Sequence, residues 1–324
     1  MSNRSPLKLV YYLIKSARPR QWVKNVSLYA ALAFSGFFFY MPAGGPSYFI
    51  TVTKAFLVFC VLTSSIYLLN DVIDKEADKK HPFKSKRPIA AGLLPVPIAV
   101  GTAILGLLLT FIFSHRLGWF FQSLTIAYFA LQIFYVYWLK NLPIFDVVSI
   151  AAGFLFRIYA GAAVVNLHTS VWFLLTVISA SMFLAIAKRQ SELTLLKATP
   201  EQLGGTRKIL TRYSQRLLDQ YTSMFATATW LSYALFAFQH NVVNVSTGAT
   251  FTSAYSILPK SLHSYKLLML SLPFVIFAVM RYLQLVYENN RGESPDQVLF
   301  KDKPMLITVI SFIVMVMLLT YGLP

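Results

Sequence analysis

Nine apolar runs, each about 17 to 25 residues long, set the main limit on how this 324-residue chain can fold. A run of that length crosses the hydrocarbon core of a bilayer as an α-helix. Hydrophobic residues make up 56% of the chain and charged residues 13%, against roughly 25% charged residues in a typical soluble domain. The sequence therefore predicts an all-α integral membrane protein, folded as one bundle over residues 1–324. We place the runs near residues 24–40, 49–69, 95–113, 119–138, 144–164, 171–188, 222–239, 265–287 and 304–322.

The distribution of lysine and arginine predicts the orientation of this bundle. Cytosolic loops of membrane proteins carry an excess of both residues. With a cytosolic N-terminus and nine crossings, only four lysine or arginine residues of this chain fall on the outer side, namely Lys54, Arg116, Lys260 and Lys266. An even number of crossings would break this pattern, so we expect the C-terminus outside. Topology and anionic lipid then account for the net charge of +17, which does not indicate a nucleic-acid partner.

A short segment between the second and third runs holds four of the twelve acidic residues. In a helix, Asn70, Asp74 and Asp78 follow at intervals of four residues and Asp71 lies three before Asp74, so their oxygens converge on one face. A divalent cation relieves the repulsion, and Mg²⁺ is commonly held by a few carboxylates together with water and substrate phosphates. These four residues are the predicted metal ligands and half of a diphosphate site. The alternative, a solvated helix end whose acids pair with neighbouring lysines, explains one or two acids but not three on one side.

A basic loop is predicted directly after this acidic segment. Pro82 and Pro88 resist helix continuation, so the acidic helix should end near residue 80 and lead into an extended loop that carries Lys84, Lys86 and Arg87. Phosphate oxygens could then bridge a bound cation to these three side chains, with arginine suited to bidentate contact. The alternative is that they only anchor the cytosolic side of the bundle.

Arg157 lies inside the fifth run, where a charge costs about 2.5 to 3.5 kcal/mol even on lenient insertion scales. Asp146 stands eleven residues earlier, about three helical turns, and cannot reach it along one helix. We therefore expect Arg157 to face a wet or anionic cavity that holds substrate.

Two further basic groups flank the runs, and for both the residues alone leave the role open. Lys188, Arg189 and Glu192 close the sixth run on the cytosolic side, either at a site or as a basic helix end with a Lys188–Glu192 pair. A second group precedes the first run and could be an interfacial anchor with tryptophan at headgroup depth. Its members are Arg18, Arg20, Trp22 and Lys24.

The acidic segment matches the NDxxDxxxD signature and so resembles the UbiA superfamily of membrane prenyltransferases. The resemblance implies nine transmembrane helices around a cavity that opens to the cytosol. Most members carry a second acidic motif after the sixth helix. This chain has Lys188-Arg189-Gln190-Ser191-Glu192 at that position, with two basic residues and one acid.

This departure, together with several other blocks, resembles the branch of the superfamily that transfers phosphoribosyl groups to polyprenyl phosphate. The resemblance runs nearly from end to end. Its blocks are Arg18-Pro-Arg20-Gln-Trp22-Val-Lys24-Asn25, Asn70 to Asp78 with His81-Pro82, Arg87-Pro88-Ile-Ala-Ala-Gly92, Arg157 with Ala160-Gly161, Lys188-Arg189 with Glu192-Leu193, and Gly292-Glu293 with Asp296 and Asp302.

The implied reaction moves a 5-phosphoribosyl group from 5-phosphoribosyl 1-diphosphate to a polyprenyl phosphate of the decaprenyl type and releases diphosphate, with Mg²⁺ as cofactor. Such a donor carries a diphosphate at one end and a 5-phosphate at the other, so one acidic motif and one basic pole suit it. The resemblance implies that the acidic segment binds the metal and the diphosphate. Lys84, Lys86 and Arg87 would then stabilise the leaving group. Lys188 and Arg189, beside Glu192, would bind a donor phosphate or the ribose. Lys24 and Arg157 would contact the acceptor phosphate or a donor phosphate.

The same resemblance implies an enzyme of the bacterial plasma membrane, active in cell-envelope biosynthesis, with its site facing the cytosol. Its partners would be the two substrates and membrane lipid, and a homo-oligomer is compatible with the sequence. The main alternative is a UbiA-type enzyme that joins a prenyl diphosphate to an aromatic acceptor. A transporter is disfavoured because the chain has no internal repeat of the kind many transporters show.

Overall fold

The computed structural model describes residues 6–79, 84–198, 212–240, 266–288 and 301–322, and in these ranges the regular structure is helical, without strands. The α-helices are α1 Pro6–Ala17, α2 Ala30–Phe34, α3 Tyr48–Ile73, α4 Lys75–Lys79, α5 Val96–Arg116, α6 Trp119–Tyr137, α7 Phe145–Ala163, α8 Val171–Ala198, α9 Gln215–Gln239, α10 Leu272–Tyr287 and α11 Lys303–Met317. Between and after them lie 3₁₀ helices at Pro19–Tyr29, Lys84–Lys86, Leu139–Asn141 and Leu267–Ser271, and a π-helical turn at Leu318–Gly322.

Seven helical segments of the described chain are long and apolar enough to cross a membrane, and they coincide with seven of the nine predicted runs. They are Tyr48–Ile73, Val96–Arg116, Trp119–Tyr137, Phe145–Ala163, Val171–Thr194, Leu267–Tyr287 and Lys303–Tyr321. Helix α9 has 25 residues but more polar side chains. The all-α membrane architecture is confirmed, whereas the count of nine crossings and the sides of the two termini remain predictions.

The prediction of one continuous helix over residues 24–40 is wrong. The chain there finishes the 3₁₀ helix at Tyr29, continues as the five-residue α2, and leaves helical geometry at Ser35 and Gly36. Two causes are local. The Ser35 hydroxyl donates to the Leu32 carbonyl at 2.8 Å, which closes α2, and Gly36 takes a positive φ of 79°. Before the run, Arg18 adopts the left-handed conformation with φ of 54° and separates α1 from the 3₁₀ helix.

The 3₁₀ helix Pro19–Tyr29 packs between α3 and α7. A Cβ atom at Gly161 of α7 would lie 1.9 Å from the carbonyl oxygen of Leu28, so only glycine allows the two backbones to come this close. Leu28 is fully buried and belongs to a core cluster with Phe59 of α3 and Tyr128 of α6. The contact fixes the basic segment before the first run against the helix that carries Arg157.

Helix α8 runs to Ala198, ten residues past its predicted end at 188, and α9 packs along it. Gln190 joins them, because its amide donates to Asp219 at 2.7 Å and accepts from Thr222 at 2.9 Å. Asp302 caps α11 by accepting from the Met305 amide at 3.0 Å. His81-Pro82, and Gly292-Glu293 with Asp296, fall outside the described residues.

Candidate active site

The acidic segment does not form one continuous helix, contrary to the sequence prediction. Helix α3 ends at Ile73, Asp74 takes ψ of 2°, and α4 begins at Lys75. Backbone hydrogen bonds still cross the break, since the Asp78 amide donates to the Asp74 carbonyl at 2.8 Å. Asp71 and Asp78 therefore lie on two separate helices, and a spacing of three and four residues along one helix does not describe their arrangement.

Asp71 and Asp78 come together through a shared arginine. The Arg87 Nη1 atom lies 3.2 Å from Asp71 Oδ1 and 2.6 Å from Asp78 Oδ2. Arg18 adds a second guanidinium, with its Nη2 atom 2.5 Å from the same Asp71 oxygen. Both aspartates are buried, at 2% and 3% exposure. Two carboxylates and two guanidinium groups therefore form a charge-balanced quartet, which we call the Arg–Asp quartet.

Asp74 lies outside this quartet. Its carboxylate is 3.5 Å from Lys140 Nζ and its side chain is 38% exposed, while Asn70 is half-buried. In the part of the chain that the structure describes, no three acidic, histidine or cysteine side chains are grouped so that they could hold a metal ion. Of the four predicted ligands, the structure brings two side chains into one cluster.

The basic segment is a compact turn rather than the predicted extended loop. Lys84–Lys86 form a 3₁₀ turn closed by the Arg87 amide, which donates to the Lys84 carbonyl at 2.9 Å. Gly92, with φ of 69°, completes a tight return in which the Leu93 amide donates to the Pro88 carbonyl. This return directs Arg87 to the acidic segment, while Lys86 is exposed and Lys84 half-buried.

Arg157 is buried, at 6% exposure, and held by neutral groups. Its Nε atom donates to Asn25 at 2.9 Å, Nη1 to the Gly153 carbonyl at 3.1 Å, and Nη2 to the Tyr128 hydroxyl at 2.6 Å. The Tyr128 ring also lies 4.8 Å from its guanidinium carbon. Asn25 is the neighbour of Lys24 and donates to Thr63 of α3, so it links three elements at this point. Over the described ranges Arg157 has no carboxylate at ion-pair distance, and its charge remains unbalanced.

Asp146 pairs with Arg189 instead, which agrees with the expectation that it cannot reach Arg157. Arg189 Nε lies 2.7 Å from Asp146 Oδ2 and Nη1 lies 2.6 Å from Glu192, in a group that is 1% exposed at the arginine. Tyr213 donates to the other Asp146 oxygen at 2.8 Å and accepts from the Ile144 amide. Burial, together with the Asp146 carboxylate, raises the pKa of Tyr213 to about 12, so its hydroxyl keeps its proton. Arg189 is thus locked into the protein, a role that the sequence prediction did not include.

Several residues of these clusters were missed by sequence reasoning. Asp146 carried a signal, because it is a second charge close to the fifth run. Arg18 lies in one of the blocks that resemble the family branch, but the residues alone left its role open, with a membrane anchor as one possibility. Asn25 ended the same block without being given a role, and Tyr128 and Tyr213 carried no signal, since neutral polar residues are common in membrane helices and loops.

A bundle of apolar helices with buried carboxylates paired to arginines near their ends defines an integral membrane protein with a buried cluster of charged side chains. The chain belongs to the UbiA prenyltransferase family, whose model matches residues 28–301.

Relatives of similar length are known. The decaprenyl-phosphate phosphoribosyltransferase of Corynebacterium glutamicum is 34% identical and aligns over 98% of this chain and 90% of that protein. The enzyme of the same name from Mycolicibacterium smegmatis is 34% identical, with 95% and 92% covered. The one from Mycobacterium tuberculosis is 32% identical, with 95% and 94% covered.

Solved structures share the fold at low identity. A UbiA homolog from Archaeoglobus fulgidus bound to GPP and Mg²⁺ aligns with a TM-score of 0.65 at 15% identity, over 95% of this chain and 99% of that one. A structure of digeranylgeranylglyceryl phosphate synthase aligns with a TM-score of 0.60 at 14% identity, over 95% and 98%. At this identity the likeness establishes the fold alone.

Proposed function

We propose that this protein transfers a 5-phosphoribosyl group from 5-phosphoribosyl 1-diphosphate to a polyprenyl phosphate and releases diphosphate. The observation that carries the proposal is the asymmetry of the two poles. The Arg–Asp quartet supplies carboxylates at one pole, whereas Lys188 and Arg189 stand where a second acidic motif would serve a prenyl diphosphate. The three relatives named above, aligned over almost their whole lengths, support the same reaction.

Mg²⁺ is the cofactor that we propose. The carboxylates of Asp71 and Asp78 fit this ion, because both already pair with the guanidinium of Arg87. Mg²⁺ is often held by one or two carboxylates together with substrate phosphates. Asp74, at the break between α3 and α4, and Asn70, on α3 directly before Asp71, would complete the protein ligands. The metal would supply charge neutralisation on the diphosphate leaving group.

Charge stabilisation by the chain's own residues accounts for most of the chemistry. A bond forms between an acceptor phosphate oxygen and the ribose anomeric carbon, and the bond from that carbon to the diphosphate breaks. Lys84, Lys86 and Arg87 stabilise the negative charge that develops on diphosphate. The acceptor phosphate is already an anion, so no general base is needed. Positioning of the two substrates supplies the remainder of the rate acceleration.

Arg157 and Lys24 bind a phosphate group of the acceptor or the donor. Three neutral partners preorganise the Arg157 guanidinium, and its unbalanced charge favours an anionic ligand. At the second pole, Lys188 contacts the 5-phosphate of the donor. Arg189 and Glu192 act by fixing this part of α8, because they pair with each other and Arg189 also pairs with Asp146.

The polyprenyl chain lies in an apolar cavity of about 220 Å³ between α8, α9, α10 and α11. Its walls include Ala180, Phe183 and Leu184 of α8, and Leu184 is one helical turn from Lys188. A lipid with its phosphate near that end of α8 could therefore run its first isoprene units into the cavity. Burial of such apolar surface stabilises the complex by about 25 cal/mol per Å².

The experiment that tests the reaction uses the purified protein in detergent with Mg²⁺. Labelled 5-phosphoribosyl 1-diphosphate and a polyprenyl phosphate should give labelled lipid. Transfer only from a prenyl diphosphate to an aromatic acceptor would favour the alternative enzyme, which the GPP-bound structural neighbour makes worth testing. Transfer from neither donor would contradict both reactions.

The Asp74→Asn variant tests the metal assignment within the same assay. Its side chain is 38% exposed and its ion pair is long, so the fold should persist while transfer is lost. The matched control is Glu76→Gln, since Glu76 lies on α4 with a 74% exposed side chain paired to Lys79. Unchanged turnover of Asp74→Asn, or an equal loss in the control, would argue against the assignment.

A further inference from the structure

The charges of the Arg–Asp quartet are arranged in two layers. The side chains of Arg18 and Arg87 are 30% and 28% exposed, whereas those of Asp71 and Asp78 are 3% and 4% exposed. Solvent therefore reaches the arginine side chains more readily than the carboxylates with which they pair. A dissolved anion would contact arginine before aspartate.

Arg18 is held in this outer layer by several features. Its backbone takes a left-handed conformation that non-glycine residues rarely adopt, and Pro19 fixes the next residue at the start of the 3₁₀ helix. The guanidinium carbon lies 5.0 Å from the centre of the Tyr67 ring. Tyr67 precedes Asp71 by one turn of α3, so ring and carboxylate support the same guanidinium.

We propose that Arg18 is a further binding residue for the donor diphosphate and competes with the metal ion for Asp71. This inference rests on the proposed function, because it takes Asp71 as a metal ligand. Asp71 Oδ1 already accepts from both Arg18 and Arg87. If Asp71 held a metal ion through that oxygen, at least one guanidinium would have to release it, and the Arg18 donors would then bind phosphate oxygens, for which the planar fork is well suited.

Charge balance makes the exchange cooperative. The quartet carries two positive and two negative charges, so a divalent ion alone leaves an excess of two positive charges in a partly buried site. A diphosphate that arrives with the metal removes this excess and gives Arg18 a new partner. Metal and diphosphate should therefore each bind more tightly when the other is present, by equal factors.

Two titrations of the full-length protein in detergent test the proposal. The first follows Mn²⁺ binding by electron paramagnetic resonance without diphosphate, and the second follows the binding of inorganic diphosphate at saturating Mg²⁺. The Arg18→Gln variant should bind Mn²⁺ about tenfold more tightly, because a competitor is lost, and diphosphate about tenfold or more weakly, because a charged donor is lost. Arg18→Lys should lie between it and the unchanged protein in both titrations. Lys15→Gln, which removes an exposed charge from α1, is the matched control and should change neither.

The opposite signs separate this role from a structural one. If Arg18→Gln weakens the binding of both Mn²⁺ and diphosphate, Arg18 only supports the carboxylates. If it changes the binding of neither, Arg18 only packs against its neighbours. Each result overturns the proposal. If Arg18→Gln does not fold, the same signs are required of Arg18→Lys. A protein that shows the expected exchange but transfers no phosphoribosyl group would refute the proposed function and leave the exchange standing.

Discussion

Replacement of Gly161 by alanine tests how far the site depends on the contact between α7 and the 3₁₀ helix Pro19–Tyr29. The new Cβ would lie 1.9 Å from the carbonyl oxygen of Leu28 and 2.7 Å from its carbonyl carbon. Close C···O contacts are about 3.3 to 3.6 Å, so the two backbones must separate by more than about 1 Å. Both clashing atoms belong to the backbone, and no side-chain rotation relieves them.

Both stability and activity should fall. Overpacking of this kind costs about 1 to 3 kcal/mol. Lys24 lies on the displaced segment, four residues before Leu28, and Arg157 lies one turn before Gly161 on α7. A displacement of about 1 Å in substrate-positioning groups can lower a rate about 10²-fold. We therefore expect a lower melting temperature and a turnover reduced about 100-fold.

The assay combines thermal unfolding in detergent with transfer of labelled phosphoribosyl groups to polyprenyl phosphate. Two glycines on α5 serve as controls. Nothing lies within 4 Å of a Cβ added at Gly101, so Gly101→Ala should behave as the unchanged protein. A Cβ at Gly106 comes closest to the Ser65 hydroxyl, at 2.2 Å, and Ser65 can rotate away, so Gly106→Ala should show a smaller loss than Gly161→Ala. Wild-type melting and turnover in Gly161→Ala, or the same loss in Gly101→Ala, would refute the reasoning.

Three other variants separate the roles of the remaining clusters. Asp146→Asn leaves the buried Arg189 with one carboxylate fewer and should lower the free energy of unfolding by about 3 to 5 kcal/mol, measured by thermal or denaturant unfolding; a change below 1 kcal/mol would contradict the ion pair. Arg157→Gln should abolish label transfer and lower the melting temperature only modestly, because Asn25 and Tyr128 lose a hydrogen-bond donor but no described carboxylate loses an ion-pair partner; a wild-type rate would show that Arg157 does not act in the reaction. Ala180→Trp should fill the apolar cavity and raise KM for polyprenyl phosphate about tenfold, with 5-phosphoribosyl 1-diphosphate binding unchanged in calorimetry; equal effects on both substrates would argue against the lipid site.

The lengths and hydrophobic composition of the apolar runs predicted most of the helices. Seven of the nine predicted runs are helices that can cross a membrane, because the length of an apolar run sets the length of a spanning helix whatever its neighbours. The first run failed because Ser35 and Gly36, which has a positive φ of 79°, interrupt it, and two residues change its mean hydropathy too little to be seen.

The candidate site was predicted less completely, for a geometric reason. The argument for four ligands on one face assumed an unbroken helix, but α3 ends at Ile73 and α4 begins after Asp74. Only Asp71 and Asp78 then share a partner. That partner, Arg87, was proposed for phosphate from its position in a basic segment, but its ion pairs depend on the tight turn that ends at Gly92.

The sequence by itself determined the solvent that this chain folds in, the helices that result, and which charges must be buried among them. These follow from local properties, since hydropathy and helical period act over one or two turns. Only the tertiary structure decided the partners. Arg189 meets Asp146 from 43 residues away, Arg18 meets Asp71 from 53, and Arg157 meets Asn25 from 132. A buried charge must find a partner or a polar cage, but the rotation and crossing of packed helices decide which side chains stand within hydrogen-bond distance.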